Sequence, residues 1–352
     1  MTASEQCERI SRKIIFREIA RAALIVEFEY KGVFVVEDNG LAGGGALLTI
    51  GEVCVRATKM LEARGISEPR NNAELLLLHV LGMERAALIR DWRDPFPQQH
   101  AAEWEALLAR KAAGEPVQYL IGEQWFYGLP YQVTPAVLIP RPETELLVEA
   151  VLEAADKLWP EAAGSDACMP TVVDVGTGSG AIGVTLATLR PRWRVCASDL
   201  SPDALAVART NAESHGAAAR MTFVQGDLLG PFAQLRPGEH HDAPGSVAGL
   251  RIDVLVSNPP YIPAGDIAGL QPEVRDHEPR LALDGGDDGL TPYRRMAEQL
   301  LQLSSLPRIV GFELGMGQAE AVADLLRGIG AWREVRIIPD YAGIDRHVLA
   351  VE

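Results

Sequence analysis

The sequence feature that most constrains the fold is an apolar run that ends in a glycine-rich turn. Residues 172–175 (Val-Val-Asp-Val) have the composition of a buried strand, and residues 176–180 (Gly-Thr-Gly-Ser-Gly) follow directly. Glycines let a backbone turn sharply and approach a ligand closely. Residues 181–187 are mostly apolar and predict a helix. A buried strand, a glycine turn and a helix in this order are typical of an α/β domain that binds a nucleotide or nucleoside at the turn.

Strand-like and helix-like segments alternate through the C-terminal part of the chain. Such alternation is typical of a parallel sheet with crossover helices, so the sequence predicts an α/β fold. The strand-like runs lie at residues 171–175, 194–198, 221–224, 252–257 and 308–314, and residues 334–339 and 347–351 are candidates for two edge strands.

The N-terminal part of the chain has a different pattern. Residues 50–113 carry apolar residues at helical spacing, broken by glycines and prolines, and predict three to five short helices. Residues 117–140 carry aromatic and β-branched residues around a Gly-Leu-Pro turn, which predicts a β-hairpin. We assign substrate recognition to the helices because the α/β domain needs a means of selecting its substrate. The predicted organisation is an N-terminal extension over residues 1–48, a helical substrate-recognition domain over 49–115, a β-hairpin linker over 116–140 and the α/β domain over 141–352.

The N-terminal extension shows no chemistry of its own. Residues 24–37 are rich in strand formers, and residues 40–45 (Gly-Leu-Ala-Gly-Gly-Gly) predict a flexible linker. Two explanations stay open for residues 1–48: a start codon assigned too far upstream, or a functional extension.

The overall charge argues against nucleic acid as a direct partner. The chain has a formal net charge of −15, whereas binding to a phosphate backbone depends on clustered Lys and Arg. The sequence contains no long uninterrupted apolar run, and charges break up its N-terminus, so it predicts neither a transmembrane helix nor a secretory signal. We therefore predict a cytoplasmic protein with no membrane partner. We also predict no metal, because the cysteines are scattered along the chain. The four cysteines lack any Cys-x-x-Cys spacing: Cys7, Cys54, Cys168 and Cys196.

Acidic residues near the glycine loop indicate which nucleoside is bound. Asp199 ends the second predicted strand, where a carboxylate can accept both ribose hydroxyls, although a helix N-cap is the alternative role. Residues 178–183 also fit the Gly-x-Gly-x-x-Gly dinucleotide pattern, so a nicotinamide dehydrogenase stays a competing hypothesis. Asp174, before the loop, suits a cationic ligand without a pyrophosphate, such as S-adenosylmethionine. Asp227 can accept a hydrogen bond from an adenine amino group. The alternative role for either aspartate is to cap a helix.

The motif that decides between these hypotheses is Asn-Pro-Pro-Tyr at residues 258–261, directly after the fourth predicted strand. Open α/β sheets bind ligands at this end of their strands. The two prolines fix φ and hold the turn extended. The Asn258 side-chain oxygen and the Pro259 carbonyl can then converge as acceptors on one –NH₂ group, while Tyr261 offers a flat face for stacking.

This arrangement suits the methylation of a planar amide or amine nitrogen. The lone pair of an amide nitrogen is delocalised into the carbonyl, and attack on a sulfonium methyl group leaves positive charge on the nitrogen. Two preplaced acceptors stabilise that charge and orient the lone pair. No strong general base is required, because the alkylated nitrogen loses its proton easily. The sequence therefore predicts an S-adenosylmethionine-dependent methyltransferase.

Four further segments carry a more specific resemblance. Together with the glycine loop and the Asn-Pro-Pro-Tyr motif, they resemble the release factor glutamine methyltransferase family of the HemK or PrmC type, whose fold is a class I (Rossmann-like) methyltransferase domain. The resemblance runs from residue 50 to the C-terminus. The segments are 114–119 (Gly-Glu-Pro-Val-Gln-Tyr), 138–145 (Leu-Ile-Pro-Arg-Pro-Glu-Thr-Glu), 312–318 (Phe-Glu-Leu-Gly-Met-Gly-Gln) and 340–346 (Asp-Tyr-Ala-Gly-Ile-Asp-Arg).

The resemblance implies methyl transfer from S-adenosylmethionine to the side-chain amide nitrogen of the glutamine in the Gly-Gly-Gln motif of peptide chain release factors. It also implies that the helical domain binds the release factor. Leu228 stands where family members can have an aromatic residue, so adenine packing there is expected to be aliphatic. By motif position, the catalytic and substrate-binding residues are Asn258, Pro259, Pro260 and Tyr261, and the cofactor contacts are Gly176, Thr177, Gly178, Ser179, Gly180, Asp199, Asp227, Leu228 and Asn258.

Several alternatives stay open. Arg141, a further candidate for substrate binding, either binds a substrate carbonyl, pins the linker near the active site, or pairs with Glu143 or Glu145. The methyl acceptor can also be a ribosomal protein glutamine or an exocyclic amine of nucleic acid, and a catalytically silent nucleoside-binding adaptor is another hypothesis. Residues 284–289 are acidic but lack the spaced ligands of a calcium loop, and predict a loop that caps the next helix.

Overall fold

The computed structural model describes residues 47–160, 169–233 and 247–352. Leu48–Glu352 forms one compact unit. The strand formers at residues 24–37 and the linker predicted at 40–45 lie outside the described residues. No described helix has both the length and the apolar character that a membrane crossing requires. The same part of the chain contains no cluster of three or more His, Cys, Asp and Glu residues placed to hold a metal ion.

Five helices form the N-terminal part of the described chain. The first begins with a capping box, in which Thr49 Oγ1 accepts from the Glu52 backbone N–H at 3.2 Å and Glu52 Oε2 accepts from the Thr49 backbone N–H at 2.7 Å. Gly82 ends the second helix in the left-handed region, at a φ of 59°. Buried residues of these helices, among them Cys54 and Leu76, form one apolar cluster. The helices are α1 (Ile50–Ala63), α2 (Pro69–Leu81), α3 (Arg85–Arg90), α4 (Ala101–Ala112) and α5 (Val117–Ile121).

A β-hairpin follows, with strands β1 (Glu123–Phe126) and β2 (Leu129–Gln132). It is shorter than the segment predicted for it, residues 117–140, because the first residues of that segment form α5 and a glycine in the left-handed region ends α5 just before β1. The hairpin packs on the C-terminal part of the chain. Its Tyr131 hydroxyl lies 2.7 Å from Thr185 Oγ1, and both side chains are buried.

Strands and helices then alternate, which confirms the α/β prediction from the sequence. The helices are α6 (Pro142–Leu158), α7 (Ala181–Leu189), α8 (Pro202–Ser214), α9 (Pro272–His277), α10 (Thr291–Leu300) and α11 (Ala319–Ile329). The strands are β3 (Thr171–Val175), β4 (Arg194–Asp199), β5 (Met221–Gln225), β6 (Val254–Ser257), β7 (Ile309–Glu313), β8 (Glu334–Pro339) and β9 (Asp345–Val351).

These strands form one sheet in the order β5-β4-β3-β6-β7-β9-β8. The first five strands in this order are parallel, and β9 is antiparallel to both β7 and β8. The prediction of an edge strand at residues 347–351 is therefore wrong, because β9 lies between two neighbours. Val348, Leu349 and Ala350 are fully buried there. The strand order reverses at β3, and open sheets bind ligands at the carboxyl ends of strands at such a point.

Helices cover both faces of the sheet. Successive residues of a strand point to opposite faces. Val172 packs in a cluster with α6, α7 and the hairpin, whereas Val173 and Val175 pack in a cluster with α10 and α11. Cys196 of β4 is buried in this second cluster. With both faces covered, the strand ends are the part of the sheet that a ligand can reach.

Candidate active site

A cavity of about 420 Å³ lies where the strand order reverses, at the carboxyl ends of β3, β4 and β6. Most of the site residues predicted from the sequence line it, although they come from several separate segments. Gly180, Pro259 and Tyr261 are outside its lining. The predicted residues that line the cavity are Arg141, Gly176, Thr177, Gly178, Ser179, Asp199, Asp227, Leu228, Asn258 and Pro260.

The glycine loop turns through backbone conformations that favour glycine. Gly176, Gly178 and Gly180 have φ values of 68°, 55° and 83°. A Cβ on Gly180 would stand 2.9 Å from a side-chain methyl one turn along α7, so this glycine also permits close packing. Gly183 ends the dinucleotide-like pattern, and a Cβ there would stand 2.9 Å from Asp174 Oδ2. These last two glycines therefore serve packing around the loop.

Asp199 ends β4 at the cavity and is not the N-cap of the next helix. Its Oδ2 accepts from the Gly178 N–H at 2.9 Å, and its Oδ1 accepts from the Ser201 N–H at 2.9 Å. Ser201 is the N-cap of α8, because its hydroxyl oxygen accepts from the Ala204 N–H at 3.1 Å. Burial raises the pKa of Asp199, and hydrogen bonds from backbone N–H groups oppose that rise. The carboxylate is thus fixed by backbone donors while it faces the cavity.

Asp174 is buried beneath the loop, 1% exposed. Its Oδ2 accepts from the Thr177 hydroxyl at 2.6 Å and from the Gly183 N–H at 2.9 Å, whereas its Oδ1 has no hydrogen-bond partner among the described residues. Burial raises the pKa of this carboxyl to about 6, against the lowering effect of the same two hydrogen bonds. A buried carboxylate with an unused oxygen is stabilised by a nearby cation.

The arginines at the cavity are already paired with carboxylates. Arg141 Nη2 lies 2.5 Å from Glu278 Oε1, and Arg295 Nη2 lies 2.6 Å from Asp227 Oδ2. No lysine of the described chain lines the cavity. A pyrophosphate would therefore meet carboxylates and no unpaired cation, which disfavours a dinucleotide. S-adenosylmethionine has a cationic sulfonium and no phosphate, and it fits this lining.

The segment after β5 has a strained backbone at the cavity. Leu228 has a φ of 52°, in the left-handed region that residues with a Cβ rarely adopt. The next residue fixes the segment against α10, because the Leu229 N–H donates to Gln299 Oε1 at 2.9 Å. Strain of this kind persists only where surrounding contacts enforce it, and it is common at ligand sites.

The Asn-Pro-Pro-Tyr turn leaves two acceptors unused. Ser257 Oγ donates to the Val175 carbonyl at 2.7 Å, which ties β6 to β3 immediately before the turn. Neither Asn258 Oδ1 nor the Pro259 carbonyl oxygen accepts a hydrogen bond from any residue that the structure describes. Two hydrogen-bond acceptors are therefore unused on this turn. Asn258 and Pro260 line the cavity, whereas Pro259 is buried between them and outside the lining.

A second loop, residues 284–289, supports this turn. Its Gly285 N–H donates to the Ile262 carbonyl at 2.9 Å. A Cβ on Gly285 would stand 2.9 Å from a carbonyl oxygen within the turn, and a Cβ on Gly289 would overlap the carbonyl oxygen of Tyr261. The prediction that this loop caps the next helix is not met by a side chain: the N-cap of α10 is Leu290, which makes no capping hydrogen bond. The loop reaches the helix through its backbone, because the Gly285 carbonyl accepts from the Thr291 N–H at 3.1 Å. No sequence pattern indicates, however, that the glycines of this loop lie against the turn.

Two ion pairs with deeply buried members connect distant segments to the region after the turn. Arg141 pairs with Glu278, 137 residues away, and not with either glutamate in the first turn of α6. Lys111 of α4 is fully buried, and its Nζ lies 2.7 Å from Glu273 Oε1 of α9. Burial lowers the pKa of Lys111, and the contact with Glu273 opposes that shift. Sequence reasoning missed Glu278, Lys111 and Glu273, because no local spacing relates such partners.

A cavity at the switch point without an unpaired cation, beside a turn with unused acceptors, fits a class I S-adenosylmethionine-dependent methyltransferase better than a dehydrogenase. This protein is such a methyltransferase, and S-adenosylmethionine is its methyl donor. A family model described as a methyltransferase domain matches residues 172–242, and one described as the PrmC N-terminal domain matches residues 52–122.

Curated relatives specify the family. The release factor glutamine methyltransferase of Moorella thermoacetica is 43% identical over 303 residues, which cover 86% of this chain and 98% of that protein. The protein of the same name from Bacillus subtilis is 41% identical over 303 residues, with the same coverage of 86% and 98%. The chain belongs to the release factor glutamine methyltransferase family. A solved structure of the hMettl16 catalytic domain with MAT2A 3′UTR hairpin 6 is more distant, at 16% identity and a TM-score of 0.48 over 70% of this chain and 81% of that one.

Proposed function

We propose that this enzyme transfers the methyl group of S-adenosylmethionine to the side-chain amide nitrogen of the glutamine in the Gly-Gly-Gln motif of peptide chain release factors. The observation that carries the proposal is the pair of unused acceptors, Asn258 Oδ1 and the Pro259 carbonyl oxygen, beside the cofactor cavity. A primary amide offers two N–H groups on one nitrogen, which matches two acceptors. The names of the curated relatives supply the substrate class.

The two acceptors act on the reacting nitrogen. S-adenosylmethionine supplies an electrophilic methyl group on a positively charged sulfur. Asn258 and Pro259 accept the two N–H groups and hold the amide so that the nitrogen lone pair points along the methyl–sulfur bond. The same oxygens stabilise the positive charge that grows on the nitrogen as the N–C bond forms. The alkylated nitrogen then releases a proton to solvent. We assign Pro260 and Tyr261 to holding the rest of the glutamine side chain.

On the cofactor side, we assign Asp199 to the ribose hydroxyls, because its carboxylate faces the cavity while backbone donors fix it. The backbone of the glycine loop, residues 176–180, is assigned to the methionine end of the cofactor. Asp227 and Leu228 are assigned to the adenine. The Oδ2 of Asp227 pairs with Arg295, which leaves Oδ1 for the adenine amino group.

We infer that the helices within residues 49–115 recognise the release factor and that residues 116–140 link them to the catalytic domain. The buried contact of Lys111 with Glu273 supports this division of roles, because it joins the helices to the segment after the catalytic turn. Arg141 holds the linker through Glu278, which also accepts from the Ile139 N–H at 3.4 Å. Binding of a substrate carbonyl by Arg141 stays a prediction. The net charge of −15 supports an enzyme without direct nucleic-acid contact. We infer that the enzyme acts in the cytoplasm, where the release factors are.

The direct test is transfer of label from S-adenosylmethionine to an unmethylated release factor. We expect one labelled glutamine, and no label on a release factor whose Gly-Gly-Gln glutamine is replaced by alanine. Asn258→Ala is expected to lower kcat by about 100- to 1000-fold while cofactor binding stays near that of the wild type. Equal labelling of the glutamine-to-alanine substrate, or labelling of ribosomal proteins or RNA in its place, would refute the assignment.

A further inference from the structure

A buried row of polar groups runs from the catalytic turn into the sheet. Asn258 Nδ2 donates to Thr144 Oγ1 at 3.4 Å, and Thr144 Oγ1 donates to Glu313 Oε2 at 2.6 Å. Thr144 is 4% exposed and Glu313 is 2% exposed. The three residues follow β6, begin α6 and end β7, so the fold brings them together from distant parts of the chain. The reaction described above uses neither Thr144 nor Glu313.

The chemistry of the three groups fixes the direction of these hydrogen bonds. A hydroxyl has one hydrogen to donate, and a carboxylate only accepts. The short contact with Glu313 takes the hydrogen of Thr144, so Thr144 Oγ1 can only accept from Asn258. The atom of Asn258 that faces Thr144 must therefore be its nitrogen. An isolated asparagine has no such preference, because the two ends of its amide have nearly the same shape.

The backbone of Glu313 is held by a hydrogen bond, and its side chain lies beside a buried histidine. The Tyr293 hydroxyl donates to the Glu313 carbonyl at 2.7 Å. His347 of β9 lies opposite Glu313 in the sheet, with Nε2 3.8 Å from Glu313 Oε2. Tyr293 and His347 are both buried. A carboxyl group in such a place is costly unless it has partners, which points to a role that an apolar residue would not fill.

We propose that Thr144 and Glu313 are positioning residues that set the direction of the Asn258 amide, so that Oδ1 faces the substrate nitrogen. The proposal rests on the proposed function, because an acceptor is needed there only if the substrate brings N–H groups. If the amide were reversed, the NH₂ group of Asn258 would face the N–H groups of the substrate. It would then destabilise the positive charge that develops on the substrate nitrogen. Thr144 and Glu313 thus act on the reaction through Asn258 alone.

Thr144→Val removes the hydroxyl and keeps the shape of the side chain. We expect kcat for methylation of the release factor to fall about tenfold, because the amide direction is no longer preset. Thr144 lines the cavity, but valine keeps the shape of its side chain there, so KM for the release factor and Kd for S-adenosylmethionine are expected to change less than about threefold. Thr144→Ser keeps the hydroxyl and should restore kcat to near that of the wild type.

Thr185→Val is the matched control. Thr185 is also a buried threonine of a helix, and its hydroxyl contacts Tyr131 and not the catalytic turn. We expect this variant to keep the kcat of the wild type. A kcat for Thr144→Val equal to that of Thr185→Val would overturn the proposal.

Glu313→Gln tests the direction of the hydrogen bonds separately. Either end of a glutamine amide can face Thr144, so the hydroxyl hydrogen is free to turn toward Asn258. We expect a measurable fall in kcat that is no larger than that of Thr144→Val. The double variant should be no slower than the slower single variant, because both act through one side chain. An unchanged kcat for Glu313→Gln, or a double variant in which the two losses multiply, would contradict the proposal.

Nuclear magnetic resonance separates this proposal from the proposed function. In protein labelled with ¹⁵N-asparagine, the side-chain NH₂ signal that is missing from Asn258→Ala belongs to Asn258. We expect this signal to exchange with water more slowly in the wild type than in Thr144→Val. Equal exchange in the two proteins would refute the positioning role. If the Asn258 signal exchanges more slowly in the wild type but the enzyme does not label release factors, the proposed function is refuted and the positioning role is not.

Discussion

The cofactor side and the substrate side of the cavity are built in different ways. On the cofactor side the glycine loop is held by local contacts: Asp174 accepts from Thr177, three residues away, and from Gly183, nine residues away. On the substrate side, Asn258 contacts Thr144, 114 residues away. A local loop keeps its geometry as long as its strand and helix are intact. The catalytic turn, in contrast, depends on packing that only the complete fold supplies, so distant substitutions should affect catalysis more than cofactor binding.

The largest expected effect comes from Gly289→Ala. A Cβ at this position would overlap the Tyr261 carbonyl, and the substitution should displace the catalytic turn. We expect kcat/KM for the release factor to fall about 100-fold or more, while Kd for S-adenosylmethionine stays within about threefold. Gly343→Ala is the control, because Gly343 has a similar φ, 79° against 74°, but open space around its Cβ position. Equal losses in the two variants would mean that backbone strain and not the turn is responsible.

The second effect concerns the pH dependence of stability on the cofactor side. The pKa of Asp174 is raised to about 6 from 3.8. At a pH between these two pKa values, Asp174 is protonated in the folded chain and ionised in the unfolded chain. The free energy of unfolding therefore falls as pH rises through this range. Asp174→Asn lacks this proton. From pH 4 to pH 7 we therefore expect the stability difference between the two proteins to shift by about 2 kcal/mol in favour of the variant.

Urea unfolding of both proteins at several pH values measures this shift. Other titrating groups are common to the two proteins and cancel in the difference. A difference that does not change between pH 4 and pH 7 would show that burial does not raise the pKa of Asp174.

Asp199→Asn should weaken cofactor binding with little effect on the bound reaction. The variant keeps the shape but loses the charge and one acceptor, so we expect Kd for S-adenosylmethionine to rise about tenfold, or about 1.4 kcal/mol. Asp203→Asn, at an exposed aspartate of α8, should leave Kd unchanged. Isothermal titration calorimetry measures both. A larger effect on kcat at saturating cofactor than on Kd would contradict the prediction that Asp199 acts mainly on cofactor binding.

The smallest effect is expected at the contact of Lys111 with Glu273. Removing one member of a buried ion pair is destabilising, but Glu273 is 23% exposed and water can solvate it. We expect a coupling of about 1 kcal/mol in a cycle of Lys111→Met, Glu273→Gln and the double variant, measured by urea unfolding. Lys157→Met, at an exposed lysine of α6, is the control and should have no effect. Additive single effects would show that the pair does not couple the helices to the active-site region.

The sequence was sufficient for the local features. The buried strand, the glycine turn and the helix after it are contiguous, and their order alone predicts where a nucleoside binds. Asp199 was ambiguous between cavity acceptor and cap, because Ser201, the actual cap, stands two residues further on. The Asn-Pro-Pro-Tyr turn was predicted because its prolines restrict the backbone directly.

The sequence was insufficient wherever spatial order departs from chain order. The strand at residues 347–351 resembled an edge strand because it comes last, yet β9 lies between β7 and β8. Gly285 and Gly289 look like ordinary loop glycines, and only the fold shows that they leave room for the carbonyls of the turn. Pairing of Arg141 with Glu143 or Glu145 was one of three alternatives from the sequence, and the structure shows that Arg141 pairs with the distant Glu278.

Each of the two parts of the described chain contains one buried thiol, Cys54 among the helices and Cys196 in the sheet. Burial raises the pKa of Cys54 to about 11 and that of Cys196 to about 12. Neither forms a thiolate readily, so alkylating reagents reach them only when the surrounding structure opens. With Cys7 and Cys168 replaced by serine, the alkylation rates of these two thiols would report separately how often the helices and the sheet open.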